Sequence, residues 1–370
     1  MKRRFKHIIS AALVLAFLIV LFNVRDIYAY GTLSVSANDV DADVTIVKAD
    51  EKVLLLPGEI RYLSASSSYA SVYGSGDPNI VTIAGTGKMV GQKPGKTQVW
   101  VTENKRRVVY DVVVRDTVDL IVFAGQSNMA GAGGNYEQAP VPEKGTAYEY
   151  NCATDDERKL LTLREPFGDG TNRAYVLNGR YVSGNGTLTS AFGIQYYKKT
   201  KVPMVGVPAA WGGSTSKTWL NNGLVDISIK RMNQAKKYLK KHKIKIRHIY
   251  VVWYQGESDG QNGYSGASFI SNMKKIYKMF NKKGVEKIFM IKIAQQVNKM
   301  GIMNPIQEAQ VKLCKTNKNF LMASTVASTM DKDIGRWYFD VIHINQYGLN
   351  VIGKEAGKYV GKYAKTHSKK

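Results

Sequence analysis

The chain has 370 residues, of which 44% are hydrophobic and 22% are charged, and this composition excludes a disordered chain, a collagen-like repeat and a long coiled coil. The length leaves room for two or three domains, while two cysteines exclude a disulfide-dense scaffold and a cysteine-rich zinc site. The formal net charge of +24 favours polyanionic surroundings such as nucleic acid, anionic lipid or an anionic wall polymer.

The N-terminus carries the pattern of an export signal. The basic start Met-Lys-Arg-Arg-Phe-Lys precedes an apolar run over residues 8–22 and a small residue, Ala29. The run of about 15 residues is shorter than the roughly 20 that span a bilayer. We predict that residues 1–29 are a signal peptide cleaved after Ala29, with an uncleaved membrane anchor as the alternative. Both alternatives predict a secreted or cell-surface protein, which contacts a membrane only through an uncleaved N-terminal segment.

The basic charge has two interpretations in an exported protein. The lysines bind an anionic cell-wall polymer, or they form a solvated surface with no partner. Nucleic acid is not a predicted partner, because the sequence has no basic stretch interleaved with aromatic residues and no zinc-finger spacing.

The first folded region is predicted to consist of short strands. β-Branched and apolar residues dominate the segments 44–47, 53–56, 80–83, 98–102 and 108–114. Turn sequences such as Lys-Pro-Gly-Lys separate them, and this spacing predicts a small antiparallel β-sandwich. Three stretches resemble the bacterial immunoglobulin-like domain of group 2: Asp-Pro-Asn-Ile-Val-Thr-Ile, Gly-Lys-Met-Val-Gly and Pro-Gly-Lys-Thr-Gln-Val-Trp-Val. The resemblance implies an immunoglobulin-like spacer or adhesion domain over residues 43–115.

Strands and helices alternate after residue 116. The predicted strands are 119–125, 202–207, 246–253, 287–293 and 320–326, and the predicted helices are 191–199, 225–241, 268–282, 305–316 and 346–364. This alternation predicts an α/β domain with a mostly parallel sheet covered on both faces. Active sites of such folds form beyond the carboxyl ends of the strands. Cys152 and Cys314 both fall in this region, and a disulfide between them is chemically permitted outside the cell, but the sequence does not decide whether they pair.

The first strand of this region leads into Gly-Gln-Ser-Asn-Met-Ala-Gly at 125–131. A serine at a strand-to-helix turn projects its hydroxyl at the sheet edge, where an activated nucleophile must lie. Ser127 is therefore a candidate nucleophile. The alternative is that Ser127 is an ordinary helix N-cap.

A candidate base for this serine stands near the C-terminus, in Asp-Val-Ile-His at 340–343. Among the five histidines, His343 combines a loop-like segment with a neighbouring acid. Asp340, three residues earlier, can accept the Nδ1–H and orient the ring. The alternative is that Asp340 caps the final helix and His343 is an ordinary surface residue.

Two further motifs follow strands at the same predicted edge: Trp-Gly-Gly-Ser at 211–214 and Trp-Tyr-Gln-Gly-Glu-Ser-Asp at 253–259. The backbone N–H of Gly213, the side-chain amide of Gln255 and the N–H of Ser127 would form an oxyanion hole with three donors. The alternatives are a turn glycine and a capping glutamine.

In combination, these four motifs resemble the SGNH hydrolase superfamily, and within it the sialate O-acetylesterase-like carbohydrate esterases. The resemblance implies a three-layer α/β/α hydrolase domain, placed at residues 117–366, and a serine esterase that needs no metal or cofactor. It makes Ser127 the nucleophile and His343 the base, with Asp340 orienting the base. Gly213 and Gln255 join the N–H of Ser127 in the oxyanion hole, although the wider superfamily usually has asparagine at the Gln255 position.

We predict supporting or substrate-binding roles for four neighbouring residues, Gln126, Asn128, Glu257 and Trp211. The glutamate would order its loop, bind substrate or assist the histidine. Flat aromatic rings can stack against sugar rings, and the candidates for this role are Trp211, Trp219, Tyr254 and Tyr264. Each of these residues could equally be a packing residue of the core or rim.

The sequence therefore predicts a secreted or surface-attached carbohydrate esterase that removes O-acetyl groups from a glycan. An O-acyltransferase that uses the same triad is one alternative, and a non-catalytic wall-binding or adhesion protein is another.

Overall fold

The structure is a computed structural model that describes residues 44–64, 71–153, 159–177 and 180–367. The predicted signal peptide or anchor, residues 1–29, lies outside the described residues. Within the described part of the chain, no helix is long and apolar enough to cross a membrane. The chain divides into two compact units. The first contains Glu59–Val113 and residues before Val53, and the second contains Val53–Gly58 and the residues from Val114 onwards.

The first unit consists of β-strands. They are β1 (Thr45–Lys48), β3 (Ile60–Tyr62), β4 (Val72–Ser75), β5 (Val81–Ile83), β6 (Lys88–Gly91), β7 (Gly95–Glu103) and β8 (Arg106–Val114). One sheet has the order β1-β8-β7-β4 and the other the order β3-β6-β5. Asn104 and Lys105 have positive φ values in the two-residue turn between β7 and β8, as tight hairpins require. The pairing of β1 with β8 is parallel, which departs from the antiparallel sandwich predicted above. The immunoglobulin-like identity stays a prediction.

The second unit is built on a seven-stranded sheet with the order β11-β10-β14-β9-β15-β16-β17. Its strands are β9 (Thr117–Gly125), β10 (Ala147–Tyr150), β11 (Leu160–Thr162), β14 (Met204–Ala210), β15 (Lys245–Tyr254), β16 (Lys287–Ile291) and β17 (Phe320–Ser324). Outside this sheet, the unit has β2 (Val53–Leu55) and the hairpin strands β12 (Tyr175–Leu177) and β13 (Arg180–Val182). Only the edge pairing of β11 with β10 is antiparallel within this described sheet, so the predicted mostly parallel sheet is confirmed.

Helices connect these strands. They are α1 (Ser127–Ala130), α2 (Thr189–Thr200), α3 (Ser216–Asn221), α4 (Leu224–Lys241), α5 (Glu257–Gln261), α6 (Gly266–Asn281), α7 (Asn304–Thr316) and α8 (Gln346–Thr366), with short 3-10 helices at Tyr136–Gln138 and Val326–Thr329. Local sequence begins several of them: the side chains of Thr215, Ser265 and Asn345 accept N–H bonds at the starts of α3, α6 and α8.

Close helix packing fixes the position of α8. A Cβ atom at Gly353 would lie 2.3 Å from the carbonyl oxygen of Leu188, and one at Gly357 would lie 2.3 Å from that of Phe192. Only glycine lets the backbones of α8 and α2 approach this closely. The helix that follows the predicted catalytic histidine is thereby fixed against the sheet domain.

Cys152 and Cys314 are free and partly buried. The disulfide that the sequence permits between them is not formed. Burial raises the pKa of each thiol to about 12, so both stay protonated at neutral pH.

A buried carboxyl group lies in β10. Glu149 is buried and accepts a hydrogen bond from the N–H of Gly168 at 3.1 Å. Burial raises the pKa of Glu149 to about 8, against the opposing effect of that hydrogen bond, and the negative charges of Glu165 and Asp169 add to the increase. The native protein therefore holds Glu149 protonated at neutral pH.

This shift predicts a pH-dependent stability. In the unfolded chain the carboxyl group ionises near its ordinary pKa of 4.5, whereas the folded protein keeps the proton up to about pH 8. The contribution of Glu149 to the free energy of unfolding is therefore fully present below pH 4.5, and it is lost progressively as the pH rises to 8. Glu149→Gln should raise the Tm more at about pH 8 than at about pH 5. Thermal unfolding followed by circular dichroism measures this, and an equal change in Tm at both pH values would contradict it.

Candidate active site

The site begins with the register of three neighbouring strands. Gly125 at the end of β9 is level with Ala210 of β14 and Tyr254 of β15. The segments that follow these strands therefore leave the sheet at one edge. A Cβ atom on Gly125 would lie only 2.1 Å from the carbonyl oxygen of Tyr254, so this turn requires glycine.

Ser127 is the first residue of α1 and is buried. The N-cap of this short helix is Gln126, which has extended backbone angles and makes no side-chain capping bond. The alternative interpretation of Ser127 as an N-cap is therefore wrong. Its hydroxyl is not used to cap α1.

The residue before the serine connects β9 to the segment after β15. The Gln126 side-chain oxygen accepts hydrogen bonds from the N–H of Ser258 at 3.1 Å and from that of Gly256 at 3.3 Å. These contacts hold the Gly-Glu-Ser-Asp motif beside the serine turn. A supporting role of Gln126 in catalysis stays a prediction.

The residue after the serine holds the histidine segment. The Asn128 side chain donates to the carbonyl oxygen of Ile342 at 3.2 Å and accepts from the N–H of Ile344 at 2.9 Å. These two contacts lie on either side of His343. The same amide nitrogen donates to Glu257 at 2.8 Å. One asparagine side chain therefore connects three segments that are far apart in the sequence.

The histidine and the aspartate are in direct contact. His343 Nδ1 lies 2.7 Å from Asp340 Oδ2, and Asp340 Oδ1 accepts the backbone N–H groups of Ile342 and His343 at 2.8 Å each. Burial raises the pKa of Asp340, but these hydrogen bonds outweigh burial and hold the pKa below its usual range. Because α8 is capped by Asn345, the alternative in which Asp340 caps that helix is wrong.

Glu257 is fully buried beside these groups. Its Oε1 accepts from Asn128, while its Oε2 is buried and has no hydrogen-bond partner among the described residues. Burial raises the pKa of Glu257, and the Asn128 hydrogen bond and the charge of His343 act in the opposite direction. The contact with Asn128 supports a loop-ordering role for Glu257. Substrate binding and assistance to His343 stay predictions.

The oxyanion donors differ in their placement. Gly213 has a φ of 68°, and a Cβ atom there would meet no heavy atom within 4 Å, so the space on its Cβ side is open. Gln255 is fully buried, and its amide nitrogen donates to the carbonyl oxygen of Ser214 at 2.9 Å and to Asp259 at 2.5 Å. Both amide hydrogens are thereby engaged, so donation to an oxyanion requires the exchange of one of these bonds. The three-donor oxyanion hole stays a prediction.

Sequence reasoning missed Asp259 as an organising residue. Besides Gln255, it accepts a hydrogen bond from the Ser216 N–H at 2.8 Å and another from the Ser216 hydroxyl. Burial raises the pKa of Asp259, although these hydrogen bonds act against the increase. The available signal was its position as the second acid of the Gly-Glu-Ser-Asp motif.

The aromatic residues proposed as sugar platforms are mostly packing residues. Trp211 is 5% exposed, and Trp219 and Tyr254 are completely buried. The rings of Trp211 and Trp219 pack edge to face with centroids 5.3 Å apart. A direct stacking role for Trp211 is therefore wrong, because its ring is buried against protein. Tyr264 is partly exposed.

Two exposed aromatic residues that the sequence analysis missed border a cavity instead. Phe339, next to Asp340, is 65% exposed, and Tyr136 is 53% exposed. Both line a cavity of about 630 Å³ together with the polar residues Asn135, Glu137 and Asn185. The position of Phe339 immediately before the Asp-Val-Ile-His motif was the signal that could have identified it.

The described residues contain no group of three or more His, Cys, Asp or Glu side chains arranged to hold a metal ion. The chemistry that the site offers is a serine hydroxyl at a sheet edge and an imidazole oriented by a carboxylate. Acyl transfer uses groups of these kinds.

Three solved structures are similar to this chain, and the first of them supports the fold. A protein of Arabidopsis thaliana solved at 1.6 Å resolution has a TM-score of 0.50 and 20% identity, with 67% of this chain and 99% of that chain covered. A carbohydrate acetylesterase from Xanthomonas citri has a TM-score of 0.40 and 14% identity, with 85% and 73% covered. A lipolytic protein of the G-D-S-L family from Veillonella parvula has a TM-score of 0.33 and 14% identity, with 45% and 84% covered.

No curated protein matches the sequence. The sequence profile of the family described as "Carbohydrate esterase, sialic acid-specific acetylesterase" matches residues 117–360, which is well over half of the chain. This match starts at β9 and includes all four motifs assembled at the sheet edge. The chain therefore belongs to this family of carbohydrate esterases and is a hydrolase that acts on esters.

Proposed function

We propose that the protein is a secreted or cell-surface serine esterase that removes O-acetyl groups from a glycan through Ser127, His343 and Asp340. The observation that carries this proposal is the pair of Asn128 hydrogen bonds on either side of His343. They keep the segment of the base beside the segment of the nucleophile. The N-terminal pattern of residues 1–29 supports the proposed location.

In the proposed reaction, the Ser127 hydroxyl attacks the carbonyl carbon of the ester while His343 Nε2 takes the hydroxyl proton. Asp340 holds the opposite ring nitrogen at 2.7 Å, which fixes the tautomer and stabilises the imidazolium that forms. The sugar hydroxyl then leaves with the proton from His343. Water, deprotonated by the same histidine, releases acetate from the acyl-serine.

The tetrahedral intermediate needs hydrogen-bond donors for its oxyanion. The N–H groups of Ser127 and Gly213 would supply two of them: the first N–H of a helix has no intrahelical partner, and Gly213 follows β14 at the same edge of the sheet. Gln255 would supply the third after exchanging a bond to Ser214 or Asp259. Each donor is expected to contribute about 10²–10³ in rate.

Ser127→Ala should lower kcat for p-nitrophenyl acetate by about 10³-fold or more, because the nucleophile is removed. The same variant should release no acetate from a panel of O-acetylated glycans. Ser268→Ala, which changes an exposed serine on α6, serves as the matched control and should keep full activity. If the Ser127 variant turned over p-nitrophenyl acetate as fast as the wild type, the proposal would be contradicted. If the wild type transferred acetyl groups to an added glycan without releasing acetate, the protein would be an acyltransferase.

Asp340→Asn should lower kcat by about 10²–10⁴-fold, because an amide nitrogen would face His343 Nδ1 and favour the wrong tautomer. Because its pKa is lowered, Asp340 stays ionised down to a lower pH than an ordinary aspartate does, so the difference between variant and wild type should persist from about pH 8 down to about pH 4. Measurement of kcat across this range checks the prediction, with Asp333→Asn as the exposed control. Activity within about twofold of the wild type would exclude Asp340 as the orienting acid.

Phe339→Ala should raise KM for an acetylated oligosaccharide about 3–10-fold, because the exposed ring would pack against a sugar ring in the neighbouring cavity. Turnover of p-nitrophenyl acetate, which has no sugar, should stay unchanged. Phe339→Tyr keeps an aromatic face and should restore the KM. An equal loss on both substrates would instead indicate damage to the Asp340 segment.

A further inference from the structure

The edge of the sheet opposite the active site is rich in lysine. Because the sheet is parallel, the helices that precede β14, β15, β16 and β17 all end at this edge. The last turns of α2, α4, α6, α7 and α8 each contain lysine. The turns that follow them add exposed lysines at Lys201, Lys243, Lys283 and Lys318. The topology thus gathers positive charge from distant parts of the chain onto one surface.

The catalytic edge has a different charge pattern. Its segments carry the acids Glu257, Asp259 and Asp340 as well as bases such as Lys217 and Arg336. The two signs are mixed there, so the excess positive charge of the second unit is not distributed evenly. It is concentrated away from the proposed reaction.

Helix capping does not account for this concentration. Lysine in a last turn stabilises the helix dipole, but that effect fades within a turn, and Lys243, Lys283 and Lys318 lie beyond the helix ends. The ammonium groups of Lys236 and Lys287 donate to the carbonyl oxygens of Lys283 and Lys318, at 2.9 and 2.8 Å. Carbonyl acceptors carry no net charge, so these two contacts do not compensate the charges of Lys236 and Lys287. Two carboxylates at the same edge, Asp116 and Asp119, pair with Lys245 and Arg247.

A groove lies within this surface. It has a volume of about 650 Å³ and is lined by five lysines and two isoleucines: Lys236, Lys237, Lys240, Lys243, Lys245, Ile244 and Ile246. We call it the lysine groove. Among the described residues, the ion pair seen for these lysines is the one between Lys245 and Asp116 at 2.8 Å. The other four lysines of the groove form no ion pair in this part of the chain.

We infer that the lysine groove binds an anionic polysaccharide, separately from the catalytic edge. Carboxylate, sulfate or phosphate groups of such a polymer would pair with the lysines, and sugar C–H groups would contact the isoleucines. The described lining has no aromatic ring to stack on nucleic-acid bases or to insert into a lipid headgroup layer. The choice of a carbohydrate polymer rests on the proposed function, because a carbohydrate esterase meets glycans.

Such binding would hold the enzyme on its polymer while the active site stays free. The reacting ester lies beyond the carboxyl ends of the strands, whereas the lysine groove lies where β15 begins. The ten residues of β15 separate the two by roughly 30 Å. One polymer, or two neighbouring chains, could therefore occupy both places.

The test compares two triple variants of the full chain that lose the same charge. Lys237→Gln/Lys240→Gln/Lys243→Gln changes the lysine groove, and Lys274→Gln/Lys275→Gln/Lys354→Gln changes exposed lysines in the middle of α6 and α8. Binding to polygalacturonate is measured by isothermal titration calorimetry in about 0.1 M NaCl and again in about 1 M NaCl. Neutral dextran, a DNA duplex and phosphatidylglycerol vesicles are measured in parallel, and Ser127→Ala is added to every protein so that catalysis plays no part.

The groove variant should bind polygalacturonate about tenfold more weakly than the wild type in low salt, whereas the control variant should stay within about twofold. High salt should remove the difference, and dextran should not bind. Both triple variants with Ser127 intact should hydrolyse p-nitrophenyl acetate at the wild-type rate. Equal weakening by both variants, or tighter binding of DNA or vesicles than of polygalacturonate, would overturn the inference. Loss of esterase activity alone would concern the proposed function and not the groove.

Discussion

The site depends on the hydrogen bonds of one asparagine side chain. Asn128 contacts the backbone immediately before and after His343, and it also holds the carboxyl group of Glu257. An amide suits this position because it donates and accepts at the same time. A carboxylate could not donate to the carbonyl oxygen of Ile342, and an apolar side chain would leave buried backbone groups without partners, which is costly.

The sheet gives this asparagine its position. β9 is the central strand, and its end is level with the ends of both neighbours, so the turn after it borders two other segments. Gly125 permits the close contact with Tyr254 that this turn requires. Gln126 then bonds the segment after β15, and Asn128 bonds both that segment and the histidine segment, so the residues on either side of Ser127 connect its turn to both. The register of the three strands therefore determines the position of Ser127 as much as the Gly-Gln-Ser-Asn motif does.

Much of this arrangement could be predicted from the sequence, because long apolar strands and amphipathic helices have strong periodicity. The bounds of α4 and α7 agree with the predicted helices to within one residue at each end. The contact between Asp340 and His343 is local and follows from the three-residue spacing. In contrast, the Gln255 amide nitrogen donates to Asp259 and to the carbonyl oxygen of Ser214. These bonds depend on the tertiary structure, so the sequence could not predict that the amide is already engaged. The burial of Trp211 and Trp219 was unpredictable for the same reason, since an aromatic residue in a motif suits packing and binding equally.

The glycine contacts between α8 and α2 have a consequence for biosynthesis. The proposed base precedes α8 directly, and α8 reaches its place only by docking its glycine face against residues near Leu188 and Phe192. A nascent chain that has not yet released residues 340–366 from the ribosome thus holds a serine turn without its base. The enzyme would therefore be inactive during translation. Its esterase activity would begin only after α8 has packed against α2.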